Sequence, residues 1–120
     1  MLLGVAREDG EAEARQLADK TAKLRIFDDA DGRMNRSMAE VPGGRFLVVS
    51  QFTLLGDAQK GNGLSYILAA PPERAERLYA RFVARLLELG FGVETGVFRT
   101  RMELELVNDG PVTLILDTGT

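Results

Sequence analysis

Arg45-Phe46-Leu47-Val48-Val49-Ser50-Gln51-Phe52-Thr53-Leu54 is the stretch that decides the fold. Its density of β-branched and aromatic residues is that of a central strand, and Val41-Pro42-Gly43-Gly44 before it supplies a turn. A strand this apolar has to be covered, and both flanks hold a helix able to cover it. Upstream, Ala14, Leu17, Ala18, Thr21 and Leu24 recur at spacings of three and four, predicting a helix over residues 11–25 with Glu11, Arg15, Asp19, Lys20 and Lys23 exposed. Downstream, Pro71-Pro72-Glu73 opens a second helix that ends at Gly90, since proline and an acid both suit a first turn. Its apolar stripe is Ala75, Leu78, Tyr79, Phe82, Val83, Leu86 and Leu87.

The shorter elements fit around this frame. Leu2 to Ala6 reads as the end of an apolar strand. Arg25-Ile26-Phe27 and Arg33-Met34-Asn35 read as a hairpin turned at Asp31-Gly32, and Gly56 to Gly63 as a polar loop. Met102-Glu103-Leu104-Glu105-Leu106 alternates, predicting a strand with one buried face. Val112-Thr113-Leu114-Ile115-Leu116 is the last expected strand, beyond the linker Asn108-Asp109-Gly110-Pro111. The order predicts an α+β fold of mainly antiparallel sheet, barrel-like in form and covered by two helices, in a single domain over residues 1–120.

Composition narrows the chemistry. The 120 residues include no histidine and no cysteine, which removes Ser-His-Asp and Cys-His catalysis, zinc sites built on those residues, and disulfides. A net charge of −3 opposes a broad nucleic-acid groove but leaves room for a few arginines to act on one RNA end. No window has the apolar length of a membrane span. The start, Met1-Leu2-Leu3-Gly4-Val5-Ala6-Arg7, has too short an apolar run for a signal peptide, so a soluble, cytoplasmic protein is expected.

Several motifs have a plain structural reading. Asp28, Asp29 and Asp31 with Gly32 lack the spacing of a calcium loop and read as a turn. Gly61-Asn62-Gly63 is half of a dinucleotide fingerprint, with Tyr66 where a third glycine belongs, and reads as a loop. Glu103 and Glu105 read as the solvated side of a strand. Ser50-Gln51-Phe52-Thr53 is more informative, because polar groups interrupt an apolar strand where unpaired hydroxyls and amides are costly, although bonds to neighbouring backbone would account for Ser50 and Thr53. Gly110-Pro111 is, on base rates, a trans turn.

Taken together, Ser50-Gln51-Phe52-Thr53-Leu54, Asn108-Asp109-Gly110-Pro111-Val112-Thr113 and Arg25-Ile26-Phe27-Asp28-Asp29-Ala30-Asp31-Gly32-Arg33-Met34-Asn35 resemble the D-aminoacyl-tRNA deacylase family, also called D-tyrosyl-tRNA deacylase, from Leu2 to Leu116. The resemblance implies hydrolysis of the ester joining a D-amino acid, or glycine, to the terminal adenosine of tRNA, a proofreading step needing neither metal nor cofactor. It implies a homodimer in which Gly110-Pro111, with a cis bond, reaches into the partner's pocket. There the carbonyls of Gly110 and Pro111 would hold the substrate amino group, so that an L side chain collides with the pair.

By the same resemblance, Ser50, Gln51, Phe52 and Thr53 form the catalytic stretch. The Thr53 hydroxyl, lacking a nearby base, is expected to position rather than attack. The adenosine 2'-hydroxyl would assist, and backbone N–H groups around Gln51, Phe52 and Thr53 would hold the oxyanion. Phe98 and Met102 match positions lining the adenosine pocket, and Asn108 joins Gly110 and Pro111 on the substrate-binding side. The expected partners are the tRNA 3' end and a second copy, with no membrane and no DNA.

The chain also departs from the pattern. Gly63-Leu64 stands where an Arg-Pro pair is usual after the loop glycine. Arg99-Thr100-Arg101 replaces small and acidic residues, placing two cations beside the pocket that either engage acceptor-stem phosphates or sit in solvent. The family opens with a strand hairpin upstream of the Leu2 equivalent, carrying an arginine that helps hold the Gly-Pro loop. That hairpin is expected to be missing, with Met1 where an aliphatic residue is usual. The rival reading is a catalytically impaired dimeric domain that binds a tRNA acceptor end or only a protein partner.

Overall fold

The computed structural model describes residues 1–119. Its central strand is β4, Arg45–Ser50, flanked in one three-stranded sheet by β1, Leu2–Leu3, and β5, Gly92–Thr95. Both pairings are parallel: Leu2 lies opposite Val49, and Arg45 to Val48 lie opposite Gly92 to Thr95. This corrects the expectation of mainly antiparallel pairing. A parallel neighbour needs a long crossover, and the two helices supply it: α1, Glu11–Lys23, lies between β1 and β4, and α2, Pro72–Glu88, between β4 and β5. The antiparallel element is the hairpin of β2, Phe27–Asp28, with β3, Met34–Arg36. The architecture is α+β, two helices on a small sheet that is not closed into a barrel.

Local chemistry explains these elements. At the start of α1 the Glu13 carboxylate accepts from the Gly10 N–H at 2.8 Å, satisfying a donor the helix leaves free. The helix ends at Lys23, two residues short of the expected boundary, because Leu24 turns to extended geometry at φ −60°, ψ 130°. In the hairpin, Asp29 Oδ1 accepts from the N–H groups of Asp31 and Arg33 at 2.9 and 3.0 Å, and Gly32 turns at φ +77°. The backbone N–H of Arg33, then that of Asp31, hold the Asp29 carboxyl below its ordinary pKa. The aspartates of this motif build a turn, as their spacing indicated.

The main core lies between the sheet and the helices, where Leu3, Phe46 and Val48 meet Ala18 and Ala22 of α1 and Tyr79, Phe82 and Leu86 of α2. Alanines at the α1 contact let the two helix backbones approach closely. Arg85 Nε donates to Asp19 Oδ1 at 2.6 Å across this helix pair, and the buried Tyr79 hydroxyl donates to the Val48 carbonyl at 2.8 Å. The other sheet face is less covered, with Leu2 46% and Leu47 41% exposed.

Two expected strands are not formed. Residues 102–106 and 112–116 carry no strand pairing, and Val107 and Ile115 are 93% and 95% exposed. Alternation selects a strand only where a partner backbone offers its own N–H and C=O groups, and the described residues offer none here. Conversely, β5 was not legible in Gly92-Val93-Glu94-Thr95, whose β-branched Val93 and Thr95 are its one strand signal.

Candidate active site

The strand does not run to Leu54 as its composition suggested. It stops at Ser50, and Phe52–Leu55 form a 3-10 turn, closed by Leu54 N–H to Gln51 O at 3.2 Å and Gly56 N–H to Thr53 O at 3.0 Å. The last bond of the β1–β4 ladder runs from the Gln51 N–H to Leu3 O at 2.8 Å. Gly4 follows, and the turn packs on its bare backbone: a Cβ there would lie 2.6 Å from Leu55 Cδ2 and 3.1 Å from Leu54 Cβ. That contact positions the turn, and only its three-dimensional neighbours reveal it.

The polar residues are therefore not buried within a strand. Ser50 and Gln51 are half-buried, Phe52 and Thr53 exposed, and among the described residues no polar or charged side chain other than that of Tyr79 is buried. The cluster stands at the C-terminal end of the central strand, with Phe52 and Thr53 open to solvent. Gln51 Nε2 donates to Thr53 Oγ1 at 2.5 Å. The Phe52 ring leans on Tyr66, centroids 5.0 Å apart at 60°, a contact the sequence reading missed.

This arrangement limits the chemistry of Thr53. Its oxygen accepts from a neutral amide, which cannot take a proton, and among the described residues no base is hydrogen-bonded to the hydroxyl. The Gln51 N–H is engaged by Leu3, so it is not free for an oxyanion. The N–H groups of Phe52 and Thr53 open the 3-10 turn and meet no backbone acceptor among the described residues.

The Gly110-Pro111 bond is cis, as the resemblance implied. The pair lines a groove with Phe27, Asp28 and Met34 of the hairpin and with Asp109 and Val112. Ser50 to Thr53 do not line this groove. Asn108 is exposed beside this loop, its Nδ2 only 3.2 Å from where a side chain on Gly110 would begin.

Phe98 and Met102 sit on a turn after β5. Phe98 is half-buried, packing against both apolar clusters and facing Tyr79 at 6.1 Å between centroids. Met102 Sδ accepts from the Val97 N–H at 3.4 Å and fills the space above Gly96. The two belong to one turn, which follows β5. No group of three or more acidic side chains is placed to hold a metal ion among the described residues.

A family model described as D-Tyr-tRNA(Tyr) deacylase matches residues 1–117. The chain is 63% identical over 118 residues to the D-aminoacyl-tRNA deacylase of Anaeromyxobacter dehalogenans (strain 2CP-C), covering 98% of this chain and 78% of that protein. It is 58% identical, with the same coverage, to the D-aminoacyl-tRNA deacylase of Symbiobacterium thermophilum. Among solved structures it resembles the c-Myc DNA unwinding element binding protein, at TM-score 0.83 and 35% identity over 92% of this chain and 75% of the other. A probable eukaryotic D-amino acid tRNA deacylase shares the fold, at TM-score 0.71 and 19% identity over 91% and 77%.

Proposed function

The chain belongs to the D-Tyr-tRNA(Tyr) deacylase family, and on that premise we propose that it hydrolyses the ester bond of D-aminoacyl-tRNA, releasing free D-amino acid and tRNA. The observation that carries the reading is the Gln51-Thr53 pair, held on an exposed turn at the strand end, beside two N–H groups that meet no backbone acceptor among the described residues.

In this reading Thr53 positions. Its hydroxyl proton, not engaged by a base, is free to donate to the ester or to the terminal adenosine. Water adds to the carbonyl with the adenosine 2'-hydroxyl assisting, and the Phe52 and Thr53 N–H groups face the oxygen where charge develops. Collapse of the tetrahedral species expels the 3'-oxygen, which leaves protonated as the tRNA terminus. Gly110 and Pro111 present carbonyls to the substrate amino group, flanked by Asn108, while Phe98 and Met102 border the adenosine.

The working form is a homodimer. Within one chain Gly110-Pro111 shares a groove with its own β2–β3 hairpin, a groove that Ser50 to Thr53 do not line, which supports a second copy as the source of the pair for each site. Exposed Leu104, Leu106, Val107, Leu114 and Ile115 give it an apolar surface to associate through. No helix among the described residues is long and apolar enough to cross a membrane, and the place of action is the cytoplasm, where charged tRNA is used. The name of one structural relative ties that protein to DNA. Here a net charge of −3 gives no broad basic surface for a duplex.

The test is ester release from D- and L-tyrosyl-tRNA. Hydrolysis of the D ester with sparing of the L ester is expected. Binding of tRNA without hydrolysis of either ester would favour a non-catalytic domain instead.

A further inference from the structure

We propose that the Arg99-Thr100-Arg101 turn is a docking element for the phosphate backbone of the tRNA acceptor end; the proposal rests on the deacylase reading and adds residues to it. Arg99 and Arg101 are both exposed, and within the described residues neither makes a hydrogen bond or an ion pair. Arg45 is bonded to Glu94, Arg85 to Asp19 and Arg74 to the Asp9 carbonyl, whereas Arg33, Arg77 and Arg81 have exposed side chains without a hydrogen bond or ion pair among the described residues, so position rather than exposure sets Arg99 and Arg101 apart.

The backbone that carries the two cations is tied down by bonds within the turn. The Thr100 hydroxyl donates to Val97 O at 2.8 Å, and Met102 Sδ takes the Val97 N–H, so the loop closes on itself on either side of the arginines. Phe98 anchors its base against Tyr79 of α2. Arg99 adopts φ +60°, the left-handed region a non-glycine residue rarely occupies, and it is the one non-glycine residue with positive φ among the described residues.

Location gives the cations their ligand. They lie between Phe98 and Met102, the residues assigned to the terminal adenosine, and the nucleotides that precede that adenosine bring phosphates to the same neighbourhood. A planar guanidinium pairs well with phosphate oxygens, and a few arginines suffice for one RNA end in a chain whose net charge is −3. The turn thus accounts for recognition of the polynucleotide, a task that Thr53 and Gly110-Pro111, directed at the ester and the amino group, do not perform.

The experiment compares wild type with the double variant Arg99→Gly/Arg101→Ala; glycine tolerates the φ of position 99, so the backbone is preserved. Two substrates are used: D-tyrosyl-tRNA, and the 3'-D-tyrosyl ester of adenosine, which carries no phosphate. Loss of two phosphate contacts should raise KM for the tRNA ester by about 10-fold at about 50 mM salt, and should lower the slope of log KM against log salt by about 1–2. The phosphate-free ester should be cleaved with kcat and KM within about 2-fold of wild type. Arg99→Lys/Arg101→Lys should restore most of the tRNA affinity, because charge is the main requirement.

Equal losses on both substrates, or no loss on either, would overturn the proposal. Should wild type cleave neither ester, the deacylase reading fails, and fluorescence anisotropy with uncharged tRNA then decides the docking role. Weaker, less salt-sensitive binding by the variant supports it; identical binding, or none by wild type, overturns it.

Discussion

The side-chain amide of Gln51 donates to the Thr53 hydroxyl at 2.5 Å, while Phe52 between them turns its ring outward onto Tyr66. The amide sets the direction of the hydroxyl without being able to deprotonate it. Thr53→Ser should therefore keep at least about a tenth of kcat/KM on D-tyrosyl-tRNA, whereas Thr53→Val should lose about 100-fold or more. Mass spectrometry of the quenched reaction should find no acyl group on Thr53. A trapped adduct would assign attack to this hydroxyl.

Gly4 supports the turn that carries Thr53. A methyl group there meets Leu54 Cβ and Leu55 Cδ2 inside ordinary contact, and Leu54 Cβ is fixed by its own backbone. Gly4→Ala should cost about 1–3 kcal/mol in urea unfolding and should reduce D-ester hydrolysis by moving the turn. Gly63→Ala, where the added carbon meets nothing within 4 Å, should change stability by no more than about 0.5 kcal/mol.

Tyr79 joins α2 to the middle strand through its bond to Val48 O. Tyr79→Phe should cost about 0.5–1.5 kcal/mol, measured by denaturant titration. Burial raises the phenol pKa above its ordinary value, opposed by a bond with Thr95. Since folding favours the neutral phenol, its contribution is complete below about pH 10 and is lost as pH rises through the raised pKa. The phenylalanine variant should lack that alkaline part of the stability profile.

Asp19 and Arg85 give the acid counterpart. The hydrogen bond from Arg85, aided by its charge, holds the Asp19 carboxyl below the ordinary aspartate pKa. A depressed acid stabilises the fold above its unfolded pKa, about 3.9, and that contribution is lost as pH falls through the lower folded value. Asp19→Asn should lower the melting temperature at pH 7 and should flatten its fall below about pH 4. A variant whose profile parallels wild type through that range would show that the pair contributes nothing to acid sensitivity.

Periodicity alone placed both helices, because a face that recurs every three to four residues has one way to be buried. The Asp31-Gly32 turn was equally local, since an Asx side chain and a glycine at φ +77° specify it without distant help. Residues 45–50 were legible as the central strand, and the motifs around Gln51 and Gly110 pointed to a family that the comparisons bear out. Strand direction was not legible. Parallel and antiparallel partners present the same alternation of side chains, and the choice depends on how a crossover packs, here α1 and α2 against Phe46 and Val48. Nor did composition reveal that β4 stops at Ser50: the chain leaves the ladder where Leu3 gives its last acceptor and Gly4 opens room for Leu54 and Leu55. The alternation at 102–106 described what that segment would bury rather than whether a neighbour is there to receive it. A hydrogen-bond ladder is made by two backbones, and one stretch of sequence specifies only its own.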